Sequence, residues 1–113
     1  MIHMTSSEKR IKQQIKAISD MIATRFNPQR IILFGSHAWG SPTSNSDVDL
    51  FIIQQSRKTR LERQREIRSS LFPPELAIDL FVYTPKEVER RLAMGDFFVK
   101  DIMTKGKVLY ARE

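Results

Sequence analysis

The sequence predicts an α/β or α+β fold formed by one domain that spans residues 1–113. Two observations predict this class. Apolar patterns with the helical and the strand period follow one another along the chain in the order α-β-β-α-β-α-α-β. The length of 113 residues suits a single compact domain, and no internal repeat, low-complexity tract or linker divides it.

The first helix is predicted over residues 7–25, because isoleucines recur at steps of three and four residues. This apolar stripe consists of Ile11, Ile15, Ile18 and Ile22. Ser6 or Ser7 is expected to cap the start of the helix, and Asn27-Pro28 ends it. The β-rich run "RIILF" at residues 30–34 predicts the first strand.

The middle of the chain predicts two more strands and a helix between them. The strands are "DVDLFII" at residues 47–53 and "LAIDLFVYT" at residues 76–84. Residues 57–71 predict a helix with a weak apolar stripe and a very basic face, and Pro73-Pro74 ends it.

The last third of the chain predicts two short helices and a final strand. "TPKE" at residues 84–87 is a strong helix start, with a threonine cap, proline at the first position and glutamate three residues after the cap. That helix runs to about Met94, and Asp96 caps a second helix that runs to about Lys105. "KVLYA" at residues 107–111 predicts a small edge strand.

Composition narrows the classes of function. The formal net charge of +6 and an isoelectric point near 10.0 suit a polyanionic partner such as nucleic acid, a nucleotide or an acidic protein. The chain has no cysteine, which excludes a disulfide framework and a cysteine-ligated zinc site. No apolar segment approaches the ~20 residues that span a bilayer, and the N-terminus is not of the secretory type, so a soluble cytoplasmic protein is expected.

Strand alternation separates the carboxylates from the aliphatic side chains. In the second strand Asp47 and Asp49 point away from the aliphatic face, and in the third strand Asp79 does the same. We expect the helices to pack mainly on the aliphatic face. If the two strands are neighbours, the three carboxylates converge on one patch of the other face.

Such a patch requires compensation of its charge. Two like charges about 4 Å apart cost on the order of 4 kcal/mol at an effective dielectric constant of about 20, so the carboxylates either take up a proton or bind a cation. Oxygen ligands without nearby histidine or cysteine suit Mg²⁺ or Mn²⁺ better than zinc. Two such ions about 3.5 to 4 Å apart can clamp both ends of a phosphoryl transfer.

A Gly-Ser turn after the first strand provides the complementary half of a site. Gly35 permits backbone conformations and close approaches that a side chain would block, and backbone N–H groups with the Ser36 hydroxyl suit phosphate oxygens. Gly40 marks a second tight point in the same loop. Each feature alone has an ordinary structural interpretation: a simple turn, a loop with Asx-type hydrogen bonds, and an inward-facing charge that discourages edge pairing.

The combination of Gly35-Ser36, ten intervening residues, Asp47-Val48-Asp49 and Asp79 on a later strand resembles the nucleotidyltransferases of the DNA polymerase β superfamily. In its short length the chain resembles the minimal nucleotidyltransferases (MNT). These are the MntA-type antitoxins of HEPN/MNT toxin–antitoxin pairs. The resemblance implies a polymerase β-like fold with a mixed β-sheet.

The resemblance also implies nucleotide-binding residues. Gly35 and Ser36 would bind the triphosphate of ATP, and Gly40 and Ser46 would belong to the same nucleotide-binding site.

For the acidic residues the resemblance implies metal binding and catalysis. Asp47 and Asp49 would hold two Mg²⁺ ions, with Mn²⁺ as an alternative. Asp79 would help to bind the catalytic ion and would orient or deprotonate the attacking hydroxyl. Family members of this type transfer AMP from ATP to a tyrosine hydroxyl of the partner HEPN ribonuclease, which silences that toxin. The expected assembly is therefore a hetero-oligomer with a cognate HEPN toxin.

Two positions depart from the family pattern. Relatives often carry arginines in the loop after Gly-Ser, whereas this chain has His37 and Trp39 there. The replacement would affect how tightly the triphosphate is bound and whether ATP is the preferred nucleotide. Trp39 has two interpretations: ordinary packing, or stacking on a base or contact with the partner. His37 is expected on the solvent side of the loop rather than as a catalytic base.

Two other functions stay open on the sequence. The chain could neutralise the toxin by stoichiometric binding without catalysis, which the altered loop favours slightly. It could also transfer a nucleotide to a small molecule such as an aminoglycoside, although relatives that do so bring a further helical domain.

The basic segment 57–71 has two interpretations, a solvated helix face or an electrostatic contact with an acidic toxin or RNA. Direct nucleic-acid binding is not favoured.

Overall fold

The computed structural model describes residues 5–40, 42, 47–71 and 77–112. The elements, in chain order, are α1 (Ser6–Phe26), β1 (Arg30–Phe34), α2 (Ser36–Trp39), β2 (Val48–Ile53), α3 (Arg60–Ser70), β3 (Ile78–Tyr83), α4 (Pro85–Ala93), α5 (Phe97–Lys105) and β4 (Lys107–Ala111). Only α2 was not predicted, because its four residues are too few for a periodic pattern. None of the helices in these ranges has the length and hydropathy of a membrane span.

The strands of the described chain form one mixed sheet in the order β3-β2-β1-β4. β1 runs antiparallel to both of its neighbours, β2 and β4, whereas β2 and β3 run parallel. β4 is an edge strand, as its sequence predicts. The two strands that carry the acidic residues are neighbours, and this is the condition for their carboxylates to meet.

The two faces of the sheet bury different side chains. The aliphatic face packs against α1 and α3 through Ile15, Ile22, Ile31, Leu33, Val48, Leu50, Ile52, Ile67, Leu71, Ile78, Leu80 and Val82. The opposite face packs against α4 and α5 through Ile32, Phe34, Phe51, Ile53, Tyr83, Val88, Val99 and Ile102. The two longest helices lie on the aliphatic face, as expected, and the two nine-residue helices cover part of the face that carries the acidic residues.

The helix caps confirm two predictions and correct a third. Thr84 caps α4 in a reciprocal capping box and Asp96 caps α5, both as predicted. The expectation that Ser6 or Ser7 caps α1 is wrong, because Thr5 occupies that position. The Thr5 hydroxyl accepts a hydrogen bond from the Glu8 amide at 3.1 Å, and the Thr5 amide donates to the Glu8 carboxylate at 3.2 Å.

Helix α3 is attached to the sheet largely through polar side chains, which explains its weak apolar stripe. Three of them donate hydrogen bonds to alternate carbonyl oxygens of the edge strand β3. Arg68 donates to Ile78 at 2.9 Å, Gln64 to Leu80 at 2.7 Å and Arg63 to Val82 at 2.8 Å. The helix therefore satisfies and covers the outer edge of β3, which would otherwise be open to pairing with another chain.

Arg63 joins three elements at the far end of β3. Its side chain is only 6% exposed and donates to the carbonyl oxygens of Lys58 and Val82. It also forms a two-pronged ion pair with Glu87, at 2.8 and 3.3 Å. Glu87 in turn accepts a hydrogen bond from the Thr84 amide at the start of α4. α3, β3 and α4 are thus held together by one buried guanidinium.

Candidate active site

Two of the predicted carboxylates lie side by side on neighbouring parallel strands. Asp49 in β2 and Asp79 in β3 are partners in the register, so their side chains lie on the same face of the sheet. Their carboxyl groups are close enough for the charge of Asp79, and a hydrogen bond with it, to raise the pKa of Asp49. Asp49 is partly buried and Asp79 is exposed. The meeting of these two groups, expected from strand alternation, is observed.

The surroundings of Asp49 raise the pKa of its carboxyl group above the ordinary value. Burial is the largest cause, followed by the negative charges of Asp79 and Asp47 and by the hydrogen bond with Asp79. The charge of His37 acts in the opposite direction. The site therefore favours a shared proton or a bound cation over two uncompensated negative charges.

Asp47 lies at the same end of the sheet but not in the same contact. It precedes β2, is exposed, and is close enough for its charge to raise the pKa of Asp49. Within the described ranges, no three histidine or carboxylate side chains form a group that could hold a metal ion. The structure thus brings Asp49 and Asp79 together and leaves Asp47 beside them. Ser46, predicted to bind nucleotide, lies outside the described residues.

The donor set of this pair fits a hard divalent cation. Asp49 and Asp79 offer carboxylate oxygens, the ligands that Mg²⁺ prefers, and Asp47 adds negative charge beside them. Magnesium is commonly held by one or two carboxylates and completes its shell with water and phosphate oxygens, so a preformed group of three protein ligands is not required. Asp49 and Asp79 are the residues that would hold such an ion.

Gly35 packs directly against Asp49. Its backbone has φ 78° and ψ −157°, a region that is essentially restricted to glycine. A Cβ atom at this position would overlap Oδ2 of Asp49. Glycine is therefore required twice here, by the backbone conformation and by the neighbouring carboxylate. The Gly-Ser turn therefore lies directly against the acidic pair. The sequence-based expectation of a triphosphate at the turn and a metal at the carboxylates requires this proximity.

The turn continues into the single-turn helix α2. The amides of Ala38 and Trp39 donate to the Gly35 carbonyl, each at 3.0 Å, and the Gly40 amide donates to the Ser36 carbonyl at 3.1 Å. A Cβ atom at Gly40 would lie 3.0 Å from Cα of Ser36. Gly40 is therefore a second tight point, as predicted, and it closes the turn that begins at Ser36.

The two residues that stand in place of the loop arginines differ in their environment. His37 is half-buried in α2, and its charge reaches Asp49, so it is not the solvent-side loop residue that was expected. Trp39 is 48% exposed and its ring lies 6.3 Å from that of Phe34. Trp39 therefore packs on one side and offers the rest of its ring to solvent.

Residues 16–113 match the model of the family "Polymerase beta, Nucleotidyltransferase". The chain belongs to this polymerase β nucleotidyltransferase family. The resemblance seen in the sequence is thereby confirmed. No curated protein shows a significant sequence match to this chain.

Several solved structures are similar to this chain. A protein from Sulfolobus solfataricus described as a candidate nucleotidyltransferase matches with a TM-score of 0.65 at 18% identity, over 94% of this chain and 85% of its own. A toxin–antitoxin complex with AMP-PNP matches with a TM-score of 0.55 at 21% identity, over 87% of this chain and 74% of its own. A mutant of the toxin–antitoxin MntA-HpeT matches at 24% identity with a TM-score of 0.49, over 94% and 74%. The first two share the fold of this nucleotidyltransferase.

An aromatic cluster borders the acidic pair of this nucleotidyltransferase. The rings of Phe34, Phe81 and Phe98 lie 5.4 to 5.5 Å apart in edge-on contacts. Phe34 is the register partner of Asp49, and Phe81 follows Asp79 by two residues on the same face. Phe34 and Phe81 therefore place apolar surface on the same face of the sheet as the carboxylates. The sequence did not identify this cluster, because its members come from β1, β3 and α5.

A cavity of about 310 Å³ opens on the other side of Asp79, between α3 and β3. Its lining consists of Leu61, Gln64, Arg65, Arg68, Asp79, Leu80 and Phe81. No periodic pattern in the sequence indicates this cavity, because the basic helix and the third strand meet there through the polar contacts of Gln64 and Arg68.

Proposed function

We propose that this nucleotidyltransferase transfers AMP from ATP to a hydroxyl group on a partner protein, in a reaction that depends on Mg²⁺. The acceptor is a tyrosine of a cognate HEPN ribonuclease toxin, and the modification neutralises that toxin. The observation that carries the proposal is the contact between Asp49 and Asp79, with the backbone of Gly35 packed against Asp49. A toxin–antitoxin complex with AMP-PNP among the structures of similar fold supports the choice of nucleotide and partner.

Residues around the Gly-Ser turn bind the nucleotide in this proposal. Gly35 and Ser36 hold the triphosphate through backbone N–H groups and the serine hydroxyl, and Gly40 fixes the turn behind them. Ser46 completes this set. His37 and Trp39 replace the arginines of relatives, so the grip on the phosphates depends more on the cation than it does in those relatives.

The acidic residues position the acceptor and the metal. Asp49 and Asp79, with Asp47 beside them, would hold Mg²⁺, which would supply positive charge to the triphosphate oxygens. The acceptor oxygen forms a bond with the α-phosphorus of ATP, and the bond from this phosphorus to the bridging oxygen of the β-phosphate breaks. Pyrophosphate leaves, and the hydroxyl proton passes to the Asp79 carboxylate. Asp79 suits this role because it is the more exposed member of the pair.

The direct test combines the protein with the toxin encoded beside it, ATP and Mg²⁺. Mass spectrometry should find AMP on a toxin tyrosine, and the double variant Asp47→Ala, Asp49→Ala should lose the product. Asp101→Asn is the matched control, because Asp101 is an exposed acidic residue on α5, outside the site. Absence of any nucleotide adduct with all four nucleoside triphosphates would contradict the proposal.

Nucleotide binding can be measured without a partner. Trp39 is the only tryptophan of the chain and follows Ser36 by three residues. Addition of ATP with Mg²⁺ should therefore change its fluorescence, and Asp49→Asn should weaken this response. Free tryptophan amide serves to correct for absorption by the nucleotide. An unchanged emission at saturating ATP, together with no binding by calorimetry, would count against a nucleotide site at the turn.

Stoichiometric inhibition of the toxin is the second candidate function. One observation favours it: the basic loop positions are replaced by His37 and Trp39. The double variant Asp47→Ala, Asp49→Ala separates the two functions in cells that express the toxin. Full protection by that variant would favour binding without catalysis, whereas loss of protection with retained complex formation would favour AMP transfer.

A further inference from the structure

The cavity between α3 and β3 lies beside Asp79, on the side away from the Gly-Ser turn. We propose that it is the acceptor subsite and that it takes a tyrosine with acidic residues next to it. This inference rests on the proposed function, because it identifies the acceptor of the same site.

The lining of the cavity combines an apolar wall with two cations. Leu61, Leu80 and Phe81 provide the apolar part, and Arg65 and Arg68 provide the guanidinium groups. A volume of about 310 Å³ is at the lower end of the range for ligand pockets, so it suits one aromatic side chain better than a whole nucleotide. A phenol ring against the apolar wall would lie close to Asp79, which lines the same cavity.

One of the two cations, Arg68, is held in place before a ligand arrives. Arg68 donates to the Ile78 carbonyl at 2.9 Å, and the neighbouring Gln64 donates to the Leu80 carbonyl at 2.7 Å. No ion pair joins Arg65 or Arg68 to Asp79 in the described part of the structure. The positive charge is therefore available to an anionic group, and a guanidinium binds a carboxylate with paired, charge-assisted hydrogen bonds.

Three of the four remaining basic residues of segment 57–71, all but Arg57, are already engaged, which makes a longer anionic ligand less suitable. Arg63 is buried in its ion pair with Glu87, and Lys58 pairs with Glu66. Arg60 lies over the ring of Tyr83, 4.4 Å from its centre. A nucleic acid requires a track of several free cations along its phosphates, whereas two arginines at one cavity fit a short acidic stretch of polypeptide.

The test uses three probes with the full chain. They are the peptide Glu-Glu-Tyr-Glu-Glu, the same peptide with glutamine in place of glutamate, and an RNA pentamer. Calorimetry should show that the acidic peptide binds about tenfold more tightly than the glutamine peptide, the equivalent of one charge-assisted contact. Arg65→Gln should remove this preference and Arg65→Lys should retain part of it. Arg25→Gln is the control, because Arg25 is an exposed arginine on α1 and does not line the cavity.

Each other outcome overturns the inference. Equal binding of the two peptides, no binding of the acidic peptide at millimolar concentration, or a preference unchanged in Arg65→Gln would exclude an acidic acceptor at this cavity. Tighter and Arg65-dependent binding of the RNA would assign the cavity to nucleic acid instead. If the proposed function alone is wrong, AMP transfer would be absent while the Arg65-dependent preference for the acidic peptide persists. If transfer occurs, Arg65→Gln should raise KM for the acidic peptide with little change in kcat.

Discussion

The two faces of the same sheet differ in what their side chains contribute. Leu50 and Asp49 are consecutive residues of β2, yet Leu50 is fully buried in the aliphatic core and Asp49 contacts Asp79 on the opposite face. The aliphatic face packs branched apolar side chains of the strands against α1 and α3, whereas the other face combines aromatic rings with paired carboxylates. Because neighbouring residues of a strand point to opposite faces, a few strands can carry stability on one side and chemistry on the other.

The largest expected effect is that of Asp49→Asn on the acidic face. The substitution removes a ligand of the proposed cation, and AMP transfer should fall on the order of 10³-fold, about 4 kcal/mol of transition-state stabilisation. The free energy of unfolding in the absence of metal should not fall, because the like charge beside Asp79 is removed. Rates with the partner toxin and urea unfolding measure the two quantities. A variant that is clearly destabilised yet keeps its transfer rate would reverse the roles assigned to this face.

The neighbouring substitution Leu50→Ala should have the opposite profile. Removal of a fully buried leucine side chain costs about 3 kcal/mol of unfolding free energy, from lost burial and from the cavity left behind. Transfer per folded molecule should stay within about twofold, because the side chain lies on the far face. Urea unfolding and rates corrected for the folded fraction test this. A large loss of rate without a loss of stability would mean that the two faces are not separable.

Gly35→Ala should affect both stability and the site, because Gly35 joins them. The backbone conformation costs a non-glycine residue about 1–3 kcal/mol, and the added Cβ atom would displace the Asp49 carboxylate. We expect lower stability and a weaker response of Trp39 fluorescence to ATP. Gly95→Ala is a matched control, since Gly95 has φ +79° with no atom within 4 Å of the added Cβ. If both variants bind ATP equally well, the contact between Gly35 and Asp49 is not needed for the site.

The sequence predicts most of the elements of this fold, because each depends on local signals. The strand alternation and the capping box at Thr84 are visible in a few consecutive residues, and the structure bears them out. The cap of α1 was displaced by one residue because threonine and serine compete for the same role in "TSSE". The single-turn α2 carries no periodic signal, and its half-buried His37 could not be anticipated for the same reason.

The candidate site is less predictable, because it depends on which elements become neighbours. The contact between Asp49 and Asp79 requires β2 and β3 to pair in parallel and in register, and one sequence fixes neither. The attachment of α3 to β3 is made by long polar side chains rather than an apolar stripe, so its cavity has no periodic signature. Asp47 illustrates the converse: a D-x-D spacing predicts a shared face, but does not ensure that both groups join one cluster.

The smallest expected effect is on the pH dependence of the free energy of unfolding, to which Asp49 and Glu87 contribute with opposite signs. The raised pKa of Asp49 means that, between its ordinary pKa and its value in the fold, the folded state binds more protons than the unfolded state. The free energy of unfolding must therefore decrease as pH rises through this window, and the contribution is fully present below it. Glu87 has the opposite sign: burial opposes its ionisation, but hydrogen bonds from Arg63 and the Thr84 amide outweigh this and lower its pKa. Its contribution is present above its ordinary pKa and is lost as pH falls.

The pH ranges over which Asp49 and Glu87 contribute overlap. The pH dependence of the native protein's free energy of unfolding therefore does not by itself separate the two groups. The difference between the native protein and Asp49→Asn does, since Glu87 is common to both. Across mildly acidic pH without divalent metal, the native protein should lose stability relative to Asp49→Asn as pH rises. Added Mg²⁺ should restore the native protein and leave the variant unchanged, because a cation stabilises the ionised pair. Urea unfolding over a pH series measures both effects, and parallel curves for the two proteins would mean that Asp49 titrates alike in the folded and unfolded states.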